Sequence, residues 1–63
     1  MIHPTTALNI IKALHNLKFS RYKNKDRLKW GLSKIISRNI YWNEDDKDQL
    51  IALIPDYVQK AVH

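Results

Sequence analysis

Apolar residues recur along this chain at the three- and four-residue spacing that places side chains on one face of an α-helix, and they do so in three separate segments. The first segment follows Pro4 and the pair Thr5-Thr6, either of which could cap the start of a helix. We predict a helix from about Thr6 to Lys18. Its core-facing positions are Ala7, Ile10, Ile11, Leu14 and Leu17.

The second segment begins after Asn24, a residue type that caps helix starts, and it has Asp26 in its first turn, where a negative charge suits the helix dipole. Gly31 lies within the predicted helix, where glycine costs up to ~1 kcal/mol relative to alanine. We interpret Gly31 as a position that lets another backbone approach closely, rather than as a break. The apolar face of this helix carries Leu28, Leu32, Ile35 and Ile36.

The third segment starts with Asn43 followed by three acids, which is a strong signal for a helix start. Pro55 interrupts the apolar pattern that follows, because proline lacks an amide proton and crowds the preceding turn. We therefore expect a kinked or split third helix, drawn as one helix to about Leu53 and a last helical piece from about Pro55. The predicted core or dimer positions of this segment are Leu50, Ile51, Leu53, Ile54, Tyr57 and Val58.

Three amphipathic helices joined by short connections predict an all-α fold, a small helical hairpin or bundle in which residues 1–63 form a single domain. A chain of 63 residues buries only about 60% of its unfolded surface, and this one has no cysteine for a disulfide. The apolar face of the third helix covers about half of the helix circumference, more than the ~100° needed to face one core. We expect a homodimer through that face. The alternative is that a kink at Pro55 turns both pieces of the helix toward one core.

Charge is strongly polarised along the chain. Nine of the eleven Lys and Arg residues lie between Lys12 and Arg38, whereas five of the six acids lie between Glu44 and Asp56, and the net charge is +5. On the second helix the cations form a narrow stripe with aromatic residues beside it. We name this stripe the basic-aromatic face and define it as Arg27, Trp30, Lys34, Arg38 and Tyr41.

Three interpretations of the basic-aromatic face remain open. It could bind an acidic protein surface, since Trp, Tyr and Arg dominate the binding energy of protein interfaces. It could bind the phosphates of a nucleic acid, with the rings available for base stacking. It could also be an ordinary solvated stripe, with Trp30 buried against helix one or against a dimer mate. A helix-turn-helix centred on Gly31 is not supported, because Asp26 and Arg27 stand where apolar and small residues would be needed.

The chain shows no constellation of residues for catalysis or metal binding. Its serines lack a signature context, and its three histidines lack the i, i+4 spacing of a zinc-binding helix. His15 is interpreted as a residue at the boundary of the first helix's apolar face. The acids from Glu44 to Asp48 suit a helix start, although docking on the basic stripe of a second subunit is a sharper hypothesis. We expect a non-enzymatic protein with no cofactor and no metal.

Membrane insertion is not expected, because no apolar run approaches the ~20 residues that span a bilayer. The amino terminus has no positive region followed by a long apolar run, so no signal peptide is expected. These two features favour an intracellular protein that associates with no membrane.

The chain also resembles a known family along its full length. The residues that carry the resemblance include residues 1–11 (Met-Ile-His-Pro-Thr-Thr-Ala-Leu-Asn-Ile-Ile) and 38–42 (Arg-Asn-Ile-Tyr-Trp). They resemble the small early-region proteins of lambdoid bacteriophages, 63-residue products of an open reading frame between the exonuclease and excisionase genes. The resemblance implies an early, regulatory phage protein in the cytoplasm of the bacterial host, one that influences lysis versus lysogeny and the host cell cycle. It supplies no binding residues.

Taken together, the leading hypothesis is a phage accessory protein that binds a host or phage protein. The alternative hypothesis is a small nucleic-acid-binding protein that uses the basic face of helix two. Both hypotheses use the same cations, and they differ in how steeply binding should weaken with salt.

Overall fold

Three α-helices form the fold of residues 1–62, the part of the chain that the structure, a computed structural model, describes. α1 is Pro4–Lys18, α2 is Lys25–Ser37 and α3 is Glu44–Ala61. α3 packs against both other helices, most extensively against α2. The bundle measures 30 × 21 × 17 Å. The predicted all-α architecture of three helices is confirmed.

The core draws on all three helices and is apolar throughout the described residues. Each helix contributes side chains spaced three or four residues apart, so a single stripe of each helix faces inward. Burying an aliphatic side chain of this kind contributes roughly 1.5–3 kcal/mol. The core members are Ala7, Ile11, Leu28, Leu32, Ile36, Leu50, Ile54 and Val58.

Leu17 was predicted to face the core but is 81% exposed. At 100° per residue, Leu17 lies about 80° around α1 from Ala7 and about 120° from Ile11, the two buried residues of this helix. The other predicted positions, Ile10 and Leu14, are partly buried against the core. The inward face of α1 is therefore narrower than the sequence pattern predicted.

α1 begins two residues earlier than predicted, and the predicted threonine cap is wrong. His3 caps the helix, with its Nδ1 atom accepting a hydrogen bond from the backbone N–H of Thr5 at 3.2 Å. Pro4 occupies the first helical position. An N–H there would have no intrahelical acceptor, so its absence in proline costs no hydrogen bond, and the fixed φ of proline already suits a helix. The proline thus starts the helix instead of preceding it.

The predicted caps of α2 and α3 are confirmed. Asn24 accepts a hydrogen bond from the backbone N–H of Arg27 at 3.1 Å, and Asn43 accepts one from that of Asp46 at 2.8 Å. Asp26 lies in the first turn of α2, and the first turn of α3 carries three acids. Each such cap contributes roughly 1 kcal/mol, and the acids add a favourable interaction with the helix dipole.

α3 runs through Pro55 as one helix, so the predicted split after Leu53 is wrong. Pro55 is exposed, whereas Leu50, Ile54 and Val58 are buried in the core. A proline inside a helix costs roughly 3 kcal/mol. Core packing on both sides of Pro55 offsets that cost and keeps the helix continuous, and one core serves both halves of α3.

Sequence reasoning missed a clamp between α3 and the segment before α1. The side-chain amide of Gln49 accepts a hydrogen bond from the backbone N–H of Ile2 at 2.9 Å and donates one to the carbonyl of the same residue. Ile2 packs against the core beside this clamp. A paired side-chain amide thus fixes the entry to the first helix.

His15 lies at the boundary of the core, as predicted, and contacts α3. Its Nδ1 atom forms a 2.8 Å hydrogen bond with the hydroxyl of Tyr57, and the two rings meet edge to face with centroids 5.7 Å apart. Burial raises the pKa of the Tyr57 hydroxyl above its ordinary value of 10.0. The folded chain therefore holds this proton more tightly than the unfolded chain does.

We expect this shift to make stability fall as the pH rises. Below pH 10.0, the ordinary pKa, both states keep the proton and its stabilising effect is fully present. Above pH 10.0 the unfolded chain loses the proton first, which favours unfolding until the pH passes the raised pKa of Tyr57. Urea unfolding measured across this range should show a smaller alkaline loss of stability in Tyr57→Phe than in the native chain. Tyr41→Phe is the matched control, because Tyr41 is exposed; equal alkaline slopes in all three proteins would contradict the prediction.

Candidate interaction surface

Four members of the basic-aromatic face are exposed, namely Arg27, Trp30, Arg38 and Tyr41, and Lys34 is half-buried. The indole of Trp30 is 65% exposed and the phenol of Tyr41 is 87% exposed. Burial of Trp30 against helix one, one of the three interpretations of the sequence, is therefore wrong. This chain presents a large aromatic side chain to water in the middle of a row of cations.

Lys34 and Trp30 form a cation–π pair on α2. The Lys34 Nζ lies 4.5 Å from the centroid of the indole, one helical turn along from Trp30. The two ion pairs within residues 1–62 involve Asp46 and Glu44, so Arg27, Lys34 and Arg38 have no carboxylate partner in the described structure. The cation–π pair orients the Trp30 ring, and the three cations can still pair with carboxylates of another molecule.

The connection between α1 and α2 folds back over Gly31. A Cβ atom at position 31 would lie 2.7 Å from Cε1 of Phe19. The predicted close approach of another backbone is therefore wrong, because the neighbour is an aromatic side chain. The Phe19 ring meets the Tyr22 ring edge to face, with centroids 5.1 Å apart and planes at 89°. Glycine at this position thus lets an aromatic pair lie directly on α2.

A shallow cleft opens between this aromatic pair and α2. Its volume is about 300 Å³. We name it the aromatic cleft and define it by four apolar or aromatic side chains and two cations: Phe19, Tyr22, Trp30, Ile35, Lys34 and Arg38. Three members of the basic-aromatic face therefore line one cavity, together with Phe19 and Tyr22 from the connection between α1 and α2.

Trp30 also lines a second cavity of about 400 Å³, which shares Tyr22 with the aromatic cleft. Tyr22, Asp26 and Arg27 line this second cavity with Trp30. The structure thus groups three residues of the basic-aromatic face, Arg27, Lys34 and Arg38, around Trp30. It does not add Tyr41 to them, because no cavity described in residues 1–62 is lined by that side chain.

Tyr41 lies instead on the turn after α2. Its backbone N–H donates to the side-chain oxygen of Asn39 at 2.7 Å, which shapes the turn. Ile40 beside it is 89% exposed. The turn therefore carries two adjacent large side chains in water. Sequence reasoning grouped Tyr41 with α2 by continuing the helical projection past Ser37, where the helix ends.

Phe19 and Tyr22 could have been found from the sequence by one signal. They are aromatic residues three apart in a connection that otherwise consists of polar and basic residues. A connection of that kind has no core of its own to face, so its rings must lie on a neighbouring helix or in water. Sequence alone could not decide between these two outcomes, because the direction of the chain after α1 is set by packing.

The six predicted core or dimer positions of α3 divide into two groups. Leu50, Ile54 and Val58 belong to the core of the chain itself, and the other three are partly buried. Leu53 and Tyr57 border a groove of about 440 Å³ between α1 and α3, across from Leu8. The remaining residue, Ile51, borders a small cavity beside Trp30.

The acidic run lies at the start of α3, as its helix-start interpretation predicted. Lys47 lies 3.8 Å from a carboxylate oxygen of Glu44, and its Nζ donates to the carbonyl of Ser37 at 3.2 Å. This lysine therefore satisfies a carbonyl at the end of α2. Docking of the acids on a second subunit stays a hypothesis.

Residues 1–62 contain neither a side-chain cluster for a metal ion nor a membrane-spanning helix. No group of three or more His, Cys, Asp or Glu side chains there is placed to hold a metal ion. None of the three helices is long and apolar enough to cross a membrane. The described chain is thus a three-helix all-α domain with a basic and aromatic surface on its second helix. Comparison with protein-family models, with curated proteins and with solved structures found no match to this chain.

Proposed function

We propose that this chain is a non-enzymatic interaction module that binds an acidic surface of another protein through the basic-aromatic face. The observation that carries the proposal is the 65% exposure of Trp30 between cations that have no carboxylate partner within residues 1–62. Tryptophan and arginine supply much of the binding energy at protein interfaces when a partner covers them. An acidic partner would bury the indole and pair the charges in one step.

The alternative is a nucleic-acid-binding protein that uses the same cations. Two features favour a protein partner over it. The ammonium of Lys34 lies over the Trp30 ring and occupies a position where a base would stack. The apolar walls beside Trp30 offer a side chain more contact than they offer a phosphate backbone.

The biological setting of the proposal comes from the sequence resemblance. We place the protein among early regulatory proteins of a lambdoid phage, in the cytoplasm of the bacterial host. There it would influence the choice between lysis and lysogeny, or the host cell cycle, by binding a host or phage protein. A homodimer is part of this proposal, and the groove bordered by Leu8, Leu53 and Tyr57 is the surface on which it would form.

A pull-down from phage-infected bacterial lysate tests the proposal. We expect the native chain to retain a defined protein after nuclease treatment, and the variant Arg27→Glu/Lys34→Glu/Arg38→Glu to lose it. The matched control is Lys18→Glu/Lys25→Glu/Lys29→Glu, which changes the net charge equally at lysines that line none of the cavities described within residues 1–62. The control should retain the partner protein if binding depends on where the cations lie and not only on the net charge of the chain.

Two outcomes would contradict the proposal. The first is recovery of nucleic acid and no protein. If nuclease removes that nucleic acid and its binding weakens steeply with salt, the alternative is established. A partner list that is the same for the native chain and for the charge-reversed variant would show that the basic-aromatic face is a solvated surface.

A further inference from the structure

We propose that the aromatic cleft is the receptor for a short, extended, acidic peptide segment that inserts one apolar side chain beside Trp30 and places two carboxylates on Lys34 and Arg38. The inference rests on the proposed function and names the chemistry of the partner that the same surface would take. It is carried by the shape of the cleft, by the charges at its rim, and by the spacing of those charges along α2.

The shape of the cleft suits one side chain rather than a larger ligand. Its volume of about 300 Å³ lies at the lower limit of pockets that hold small molecules. The walls are the rings of Phe19, Tyr22 and Trp30, together with the aliphatic Ile35. The Phe19 ring lies directly against Gly31, so this wall of the cleft rests on α2. An aromatic or leucine side chain would replace water against these surfaces.

The rim of the cleft suits carboxylates. Lys34 and Arg38 both line it, and neither has an acidic partner among the described residues. Asp26 lines the neighbouring cavity with Trp30 and Tyr22 and does not line the aromatic cleft. Charge complementarity therefore requires acidic groups from outside, placed next to the residue that enters the cleft.

The spacing along α2 defines the peptide pattern. Lys34 and Arg38 are four residues apart, which is about 6 Å along a helix axis, and Trp30 lies a further ~6 Å back. Alternate side chains of an extended peptide point the same way and repeat at about 6.6 Å. An apolar residue and two acids, each separated by one residue of any type, therefore match Trp30, Lys34 and Arg38 in turn. Either chain direction gives this match.

Peptide binding to the full chain tests this inference. The probes are Ser-Phe-Ser-Glu-Ser-Glu-Ser and its reversed sequence, titrated into the isotope-labelled protein and followed by backbone amide and Trp30 indole NMR signals. We expect at least one probe to bind and to shift signals around Trp30 and Gly31. Replacing both glutamates of the probe by glutamine, or its phenylalanine by alanine, should weaken binding about tenfold or more.

Two protein variants make the test specific to the cleft. Lys34→Glu/Arg38→Glu should weaken probe binding about tenfold, whereas Lys18→Glu/Lys29→Glu should leave it unchanged, because neither lysine lines a cavity beside Trp30. Gly31→Ala should weaken it several-fold, because the new Cβ would displace the Phe19 ring. This variant should remain folded, since alanine has the higher helix propensity and the ring end of a side chain can move aside.

Several outcomes would overturn the inference. Binding that is equal for the glutamate and glutamine probes would remove the role of the carboxylates. Shifts confined to the groove between α1 and α3 would move the site elsewhere. Self-association of the free chain that Lys34→Glu/Arg38→Glu abolishes would make a second copy the occupant of the cleft.

The inference and the proposed function can fail separately. If neither probe binds but the lysate partner is lost from the charge-reversed variant, the face binds a protein by another geometry. If a probe binds as expected but no lysate protein depends on the face, the cleft is a peptide receptor and the proposed function is wrong.

Discussion

Replacing Leu32 by alanine is expected to lower the free energy of unfolding by roughly 2–5 kcal/mol. Leu32 is fully buried in the core with side chains from α1 and α3, so truncation removes apolar contacts and leaves a cavity. Small domains are stable by only about 5–15 kcal/mol, so this one change removes a large part of the total. Urea unfolding followed by far-UV circular dichroism measures the loss.

Leu17→Ala is the matched control for that prediction. It makes the same chemical change at a residue that is 81% exposed, and we expect it to change stability by less than about 0.5 kcal/mol. Equal losses at the two leucines would mean that Leu17 is covered in solution. A second copy of the chain packed on α1 would be one cause, and sedimentation equilibrium would detect it.

Replacing Trp30 by alanine is expected to weaken binding of the lysate partner about 30-fold or more, because truncating an interface hot spot costs at least ~2 kcal/mol. The same change should alter the free energy of unfolding by less than about 1 kcal/mol, because the indole is largely exposed and is not among the residues packed against the core. Binding is measured with the partner identified in the pull-down, and stability is measured by urea unfolding.

Trp42→Ala, at the other tryptophan, is expected to lower stability and to leave partner binding unchanged. Trp42 is partly buried against the core, and we expect its truncation to cost about 1–3 kcal/mol of stability. It lines none of the cavities described around Trp30. A loss of stability in Trp30→Ala as large as that in Trp42→Ala would contradict the exposed position of Trp30. It would indicate that a dimer mate covers the indole.

Stability and binding can be separated in this chain because α2 uses two different faces. Leu28, Leu32 and Ile36 face the core, whereas Arg27 and Trp30 point to water. A helix turns by 100° per residue, so of two residues adjacent in sequence one can pack in the core while the other faces a binding partner. Lys34 and Ile35 are the exceptions, because they are partly buried and also line the aromatic cleft. Substitutions there are expected to affect both properties.

The helices themselves were predictable from local chemistry. Asn24 and Asn43 mark the starts of α2 and α3 because a side-chain oxygen satisfies backbone N–H groups at any helix start, whatever the helix packs against. The buried residues of α2 and α3 followed from the helical spacing for the same reason. The start of α1 was misplaced because threonine is a residue type that commonly caps helices, whereas histidine, which caps this helix through its ring nitrogen, is not.

The sequence by itself determined which residues form helices, which face of each helix is apolar, and that α2 carries a row of cations with an aromatic residue among them. These properties depend on neighbours within about one helical turn. The tertiary structure alone decided that α3 continues through Pro55, that Trp30 is exposed, and that Phe19 covers Gly31 to wall a cleft. Each of these depends on the angle at which one element returns to another. That angle is set by packing between residues far apart in the chain, which no local pattern encodes.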